Sequence, residues 1–335
     1  MTADSTNKKK LLELAWRKFF IYDHNALRHQ KRHFQTILLI LLLNVIGTIL
    51  VVLKSSLSDH LIKSIFNYYN QFIELTVLLI PVTSAFLYAV INRFSPGNKW
   101  MHLRSSAEEI RSAIFRYRTK VNLSDKKTTA NKNETELANT LKSISNKLME
   151  TQVNASALYP SKTNLSQHSL TYLTTKEYIT RRIDDQLLFY SKRTVRLEQQ
   201  IKWLYLLIYF LGGLGTILAA IKFQLWIAVT TSISAALLTW LELNQTENNL
   251  IIFNQTSEEL ITIKCWWESL TEKQKEEPRN ILRLIGSTED ALKGERSSWL
   301  RNTRFALSDI SSLQRDKEHS NQASSPSEIQ DARVS

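Results

Sequence analysis

The chain has 335 residues, a net charge of +12 and a single cysteine, Cys265. One thiol forms no internal disulfide and seeds no zinc cluster, so a disulfide-built secreted scaffold is excluded. With only 7 glycines and 5 prolines, the chain is too poor in turn formers for a turn-dense all-β or collagen-like fold, and helix is the expected state.

The amino-terminal stretch carries Trp16, Arg17, Phe20, Tyr22 and Arg28 and leads into the first apolar run. From Ile37 to Leu53 no side chain ionises, which is 17 residues or about 26 Å of helix. Phe34 to Thr36 extend this run to a length that crosses hydrocarbon, giving a span at about 34–53. Asn44 lies near its centre, where an amide is expected to face protein or water. Interhelical bonding and pore lining are its two readings. A second span follows at about 72–91, with Pro81 in its middle and Glu74 near its outer end. That carboxylate reads as an interfacial acid or, alternatively, as an ion ligand. The charged helix that leaves the span contains Ser106-Ala107-Glu108-Glu109-Ile110.

Residues 121–170 hold 26 Ser, Thr, Asn and Lys in 50 positions and read as a polar linker. One short helix is expected inside it, because Leu137, Leu141, Ile144 and Leu148 recur at helical spacing. The next charged helix presents Tyr178, Arg182, Gln186 and Tyr190 every four residues, hence on one face. This face reads either as packing between cytoplasmic helices or as a contact face for a partner.

Spans three and four are expected at about 203–221 and 225–241, joined by the tight turn Lys222-Phe223-Gln224. Gly212, Gly215, Thr216 and Ala219 in the third span face the same question as Ser232 and Ser234 in the fourth: helix packing or pore lining. After the fourth span Thr256-Ser257-Glu258-Glu259-Leu260 repeats the earlier exit pattern at an offset of 150 residues. Residues 314–335 are polar and are expected to be a disordered tail.

Of the 43 Lys and Arg residues, 40 fall in the amino-terminal, middle and carboxy-terminal segments and three in the two outer turns. The positive-inside rule then places both termini in the cytoplasm of a multi-pass protein of the inner (plasma) membrane. The fold expected is an all-α integral membrane protein: four transmembrane helices as two tandem hairpins with long cytoplasmic helical extensions. No phosphate loop, nucleophile elbow or His-Glu-X-X-His motif is present in the sequence. His29 and His33 stand four apart without a third ligand nearby. The reading is of a non-enzyme without metal or other cofactor. The basic middle segment is explained by anionic lipid as well as by nucleic acid, and no specific nucleic acid is expected as partner.

Tyr178, Arg182, Gln186, Tyr190 and Lys192, followed by a two-span hairpin, Glu258-Glu259-Leu260 and Trp266-Trp267, resemble the SLATT family. These are two-transmembrane effector domains that accompany SMODS nucleotidyltransferases and SLOG sensor domains in prokaryotic conflict systems. Residues 171–313 are similar to one such unit. Residues 1–120 are similar to another, through Trp16, Tyr22, Trp100, Arg104 and Glu108-Glu109. The resemblance implies an antiphage-type membrane effector, homo-oligomeric and pore-forming or depolarising, acting with a separate protein that senses or makes a nucleotide. The alternative is a non-conducting scaffold that recruits cytoplasmic partners.

Overall fold

The computed structural model describes residues 3–58, 63–120, 127–161 and 170–323. Among the described residues there is no strand. The helices are α1 (Ala3–Ser58), α2 (Lys63–Phe94), α3 (Pro96–Lys120), α4 (Lys127–Met149) and α5 (Thr175–Ala220). They continue as α6 (Gln224–Leu243), α7 (Thr246–Glu268), the short α8 (Glu272–Glu276) and α9 (Pro278–Ala323). Each of the four expected spans lies inside a helix long and apolar enough to cross a membrane. Only 11–17% of the apolar windows of these helices is buried within the chain, so their outward side chains need lipid or another subunit. The chain is an all-α multi-pass membrane protein.

Each half goes in along one long helix, returns along a second and leaves through a third. The breaks between returning and exiting helices fall at Ser95 (φ 43°) and Gln245 (φ 49°), 150 residues apart. A single left-handed residue redirects the helix there, and Pro96 restarts it with a preset φ. On the inbound helices the register is 168 residues. Gly47-Thr48-Ile49-Leu50 recurs as Gly215-Thr216-Ile217-Leu218, and Tyr22 and Arg28 recur as Tyr190 and Arg196. In each hairpin the equivalent glycine receives the equivalent residue of the returning span, Ile80 against Gly47 and Thr230 against Gly215. The two registers differ by the length of the outer turn. The first outer turn, 59–62, lies outside the described residues, whereas the second closes through Lys222 at φ 66°.

Within the membrane α1 contacts both α2 and α6, and α6 contacts α5, so neighbouring spans run in the order α2, α1, α6, α5. Below it, α1 lies along α3, α4 covers α3, and α9 crosses both α3 and α7. Their apolar faces merge in one core that includes Leu12, Trp16, Leu103, Ile110, Leu260 and Leu284.

Two expectations change here. The segment 121–170 is more than a linker, because the stripe Leu137, Leu141, Ile144 and Leu148 of α4 is 2–3% exposed and belongs to that core. Four apolar side chains suffice for one seam when a neighbouring helix supplies the other wall. The carboxy-terminal helix also continues through Ala323, so residues 314–323 of the expected tail are helical. No Pro or Gly interrupts them. Residues 324–335 lie outside the described residues.

Candidate functional site

The start of α5 is fixed by a capping box, in which Thr174 Oγ1 accepts from the Glu177 backbone N–H and Glu177 accepts from that of Thr174. A π-helical stretch, Ile179–Asp184, follows and turns Arg182 inward. Arg182 donates from Nε and Nη2 to the two carboxylate oxygens of Glu289 on α9, at 2.9 and 2.8 Å. Tyr178 donates to Glu289 Oε1 at 3.1 Å. The side chains of Arg182 and Glu289 are 3% and 0% exposed, and the guanidinium lies 4.9 Å from the centroid of the Phe115 ring on α3. Burial would lower the pKa of Arg182, but Glu289 more than offsets it and holds the guanidinium above its ordinary value. Burial and the Glu289 charge push the Tyr178 phenol well up.

Beside this cluster is a cavity of about 520 Å3 at the junction of the two halves. Helix α3 contributes Trp100, Arg104, Glu108 and Arg111, and α1 contributes Leu27 and Gln30. Helix α5 contributes Gln186, Phe189, Tyr190, Lys192, Arg193 and Arg196, and α9 closes it with Glu295, Arg296 and Trp299. Arg104 pairs with Asp23 of α1 and, at 2.8 Å, with Glu108. Arg111 reaches Glu108 and Asp185, each at 3.8 Å. Burial would raise Glu108, yet Arg104 and Arg111 hold its carboxyl below the ordinary range. Glu295 has no such guard. Burial first, and then the neighbouring Glu108 charge, push it up to about 7.

The four residues expected as one helix face are therefore not a free surface. Tyr178, Arg182 and Tyr190 are 0–2% exposed, turned into the chain's own α3 and α9, and Gln186 lines the cavity. The sequence reading missed Glu289, Glu295 and Arg296. A signal existed: α9 carries an apolar stripe, Ile281, Leu284, Ile285 and Leu292, in which Thr288 and Glu289 occupy the inward position. A carboxylate there requires a buried cation.

In the spans, Ser84 Oγ donates to Asn44 Oδ1 at 3.5 Å, and Thr48 Oγ1 lies 3.3 Å from Ser232 Oγ of α6. Gly215 meets Thr230 Oγ1 at 3.0 Å from the position of an added Cβ, so this side of α5 packs on α6. Gly212, Thr216 and Ala219 stand on another side, which the chain leaves exposed, and an added Cβ at Gly212 meets nothing within 4 Å. Ser232 and Ser234 are half-buried. Glu74 pairs with Lys54 at 2.7 Å at the outer end.

Residues 178–299 match the family model described as SMODS and SLOG-associating 2TM effector domain 1. Residues 22–132 match a different family model, described as a protein of unknown function (DUF4231). No curated protein and no solved structure matches the chain. The first of these regions starts at Tyr178 of the buried cluster and ends at Trp299 of the cavity, so it takes in the third and fourth spans and most of the cavity's cytoplasmic walls.

Proposed function

We propose that this chain is a membrane effector of a prokaryotic conflict system. In this reading both halves are copies of one two-span unit, and several chains assemble to breach or depolarise the inner membrane when their cytoplasmic helices receive a nucleotide-linked signal. The observation that carries it is the match of residues 178–299 to a two-transmembrane effector domain, which joins the hairpin to the cytoplasmic helices that would control it. The exposed face of Gly212, Thr216 and Ala219 supports an assembly, because small residues let a helix of a second copy approach closely. The charge distribution supports cytoplasmic termini. The signal would come from a separate nucleotide-generating or nucleotide-sensing protein, and the chain itself would do no catalysis and hold no cofactor.

The test is membrane potential in cells expressing the full chain together with its genomic neighbours, beside a Gly212→Leu version. Depolarisation by the native chain alone is the expected result. A normal potential with correctly inserted native protein and active neighbours refutes the effector reading and leaves the non-conducting scaffold.

A further inference from the structure

The cavity at the junction of the two halves carries more positive charge than the chain neutralises. Seven of its lining side chains are Arg or Lys and three are Glu. Arg104, Arg111 and Arg182 are matched by carboxylates. Lys192, Arg193, Arg196 and Arg296 form no ion pair among the described residues. Lys192 and Arg196 are four apart on α5, and Arg193 precedes Arg196 by three, so these charges repel along one helix face without compensation.

The internal repeat shows what such a face does when the chain itself covers it. At the equivalent positions in α1, 168 residues earlier, stand Asn25 and Arg28. There the segment after α4 lies on the helix: the Arg28 guanidinium is 3.7 Å from the centroid of the Tyr159 ring, and Asn25 exchanges two hydrogen bonds with the Tyr159 backbone at 2.8 and 3.0 Å. In the second half the same positions are Arg193 and Arg196, both exposed, with Phe189 one turn away and 48% exposed. The docking face persists, becomes more basic, and has no occupant from the chain.

We propose that this cavity binds a phosphate-bearing organic anion, its phosphate held by Arg193, Arg196 and Arg296 and its remainder placed against Phe189 and Trp299. Guanidinium forks match phosphate oxygens in pairs, which a lone ammonium does not. A volume of about 520 Å3 falls in the range of small-molecule sites and is far larger than one phosphate needs. Glu295 reinforces the preference, since its carboxyl at about 7 is partly uncharged at neutrality and repels an entering anion less. Arg196 precedes Trp203, where the third span begins, by seven residues, about 10 Å of helix. The phosphate can therefore belong to a soluble nucleotide or to the head group of an inner-leaflet lipid. The proposal deepens the effector reading and rests on it for what binding triggers, not for whether binding occurs.

The full chain in phosphatidylcholine nanodiscs is titrated with ATP and with inorganic pyrophosphate by calorimetry. In a second arm, nanodiscs formed from mixed phosphatidylcholine and phosphatidylglycerol are assayed for phosphatidylglycerol enrichment. The variant Arg193→Ala/Arg196→Ala is compared with the charge-matched control Lys273→Ala/Arg279→Ala, all four side chains being exposed, so both should fold. Saturable binding of ATP or pyrophosphate, weakened at least tenfold in the variant and unchanged in the control, is expected for a soluble ligand. Enrichment of phosphatidylglycerol, lost in the variant alone, is the result for a lipid. Neither effect, or equal effects in variant and control, overturns the proposal. None of these readouts needs conduction, so a chain that binds but never depolarises removes the effector reading alone.

Discussion

Replacing Glu289 by Ala should unlock the cytoplasmic bundle. Its carboxylate is fully buried and accepts two hydrogen bonds from Arg182 and one from Tyr178, at 2.8 to 3.1 Å. Removing it leaves a guanidinium that is 3% exposed without its counter-charge. Breaking a buried pair in this way costs about 3–5 kcal/mol, chiefly as the penalty of the stranded charge. At roughly 2–4 °C per kcal/mol for a domain of this size, the midpoint of thermal unfolding should fall by about 6–20 °C. The double variant Arg182→Met/Glu289→Leu removes both charges and should return to within about 2 kcal/mol of the native protein. Urea-dependent pulse proteolysis of the full chain in nanodiscs measures both variants and their coupling. A Glu289→Ala chain that loses less than about 1 kcal/mol, or a cycle with no coupling, would refute the assignment of this pair as the clasp between α5 and α9.

Glu295 makes a pH prediction. Its folded-state pKa of about 7 lies above the ordinary 4.5, so its contribution to stability is complete below about pH 4.5 and is lost as pH rises through about 7. The shift corresponds to about 3 kcal/mol, reduced to about 1–2 by residual solvent contact, and Glu295→Gln should flatten urea midpoints compared at pH 5 and pH 8; an unchanged slope would contradict the assignment. Gly47→Leu and Gly215→Leu should each destabilise the chain by about 1–3 kcal/mol through overpacking, because their added Cβ atoms would stand 3.2 Å from Ile80 and 3.0 Å from Thr230. Gly212→Leu, with open space around it, should leave the isolated chain's unfolding unchanged and shift only the oligomer distribution in crosslinking. Asn25→Ala removes three hydrogen bonds at a fully buried site and should raise amide exchange across residues 150–161; protection equal to native would show that the segment is held elsewhere.

The spans were legible because hydrocarbon admits so little: long runs without charge, closed by Lys54 or opened after Lys202, suit a bilayer and few soluble settings. The duplication was legible through the order of elements, and its best signature, the repeated Gly-Thr-Ile-Leu, was obscured because inbound and exiting helices follow different offsets. The left-handed breaks at Ser95 and Gln245 carry no Gly or Asn to announce them. The stripe of α4 showed a helix but not its destination, since periodicity reveals a face and not the partner that covers it. For the same reason Tyr178, Arg182 and Tyr190 resembled a contact surface, while their acceptor, Glu289, lies 107 residues beyond Arg182. A cavity assembled from four helices is a property of tertiary placement, which no local pattern contains.

Tandem duplication changes what such a unit can do. Two identical units meeting about a symmetry axis present the same face twice, and whatever covers one face covers the other. Here the halves have diverged at that face. In the first, the chain's own segment at Tyr159 occupies it, holding Asn25 and Arg28. In the second, Arg193 and Arg196 are left open above a cavity whose opposite wall, with Arg104 and Arg111, comes from the first half. The junction therefore has one closed side and one open side within a single chain. Closing the open side with an anion would pull α5 against α3 and α9 just below the third span, where a small rotation of the helix is carried directly into the face of Gly212, Thr216 and Ala219. A chain with two diverged units can thus hold a sensing surface and its structural counterweight together, an arrangement that a single unit would reach only by pairing with a second copy.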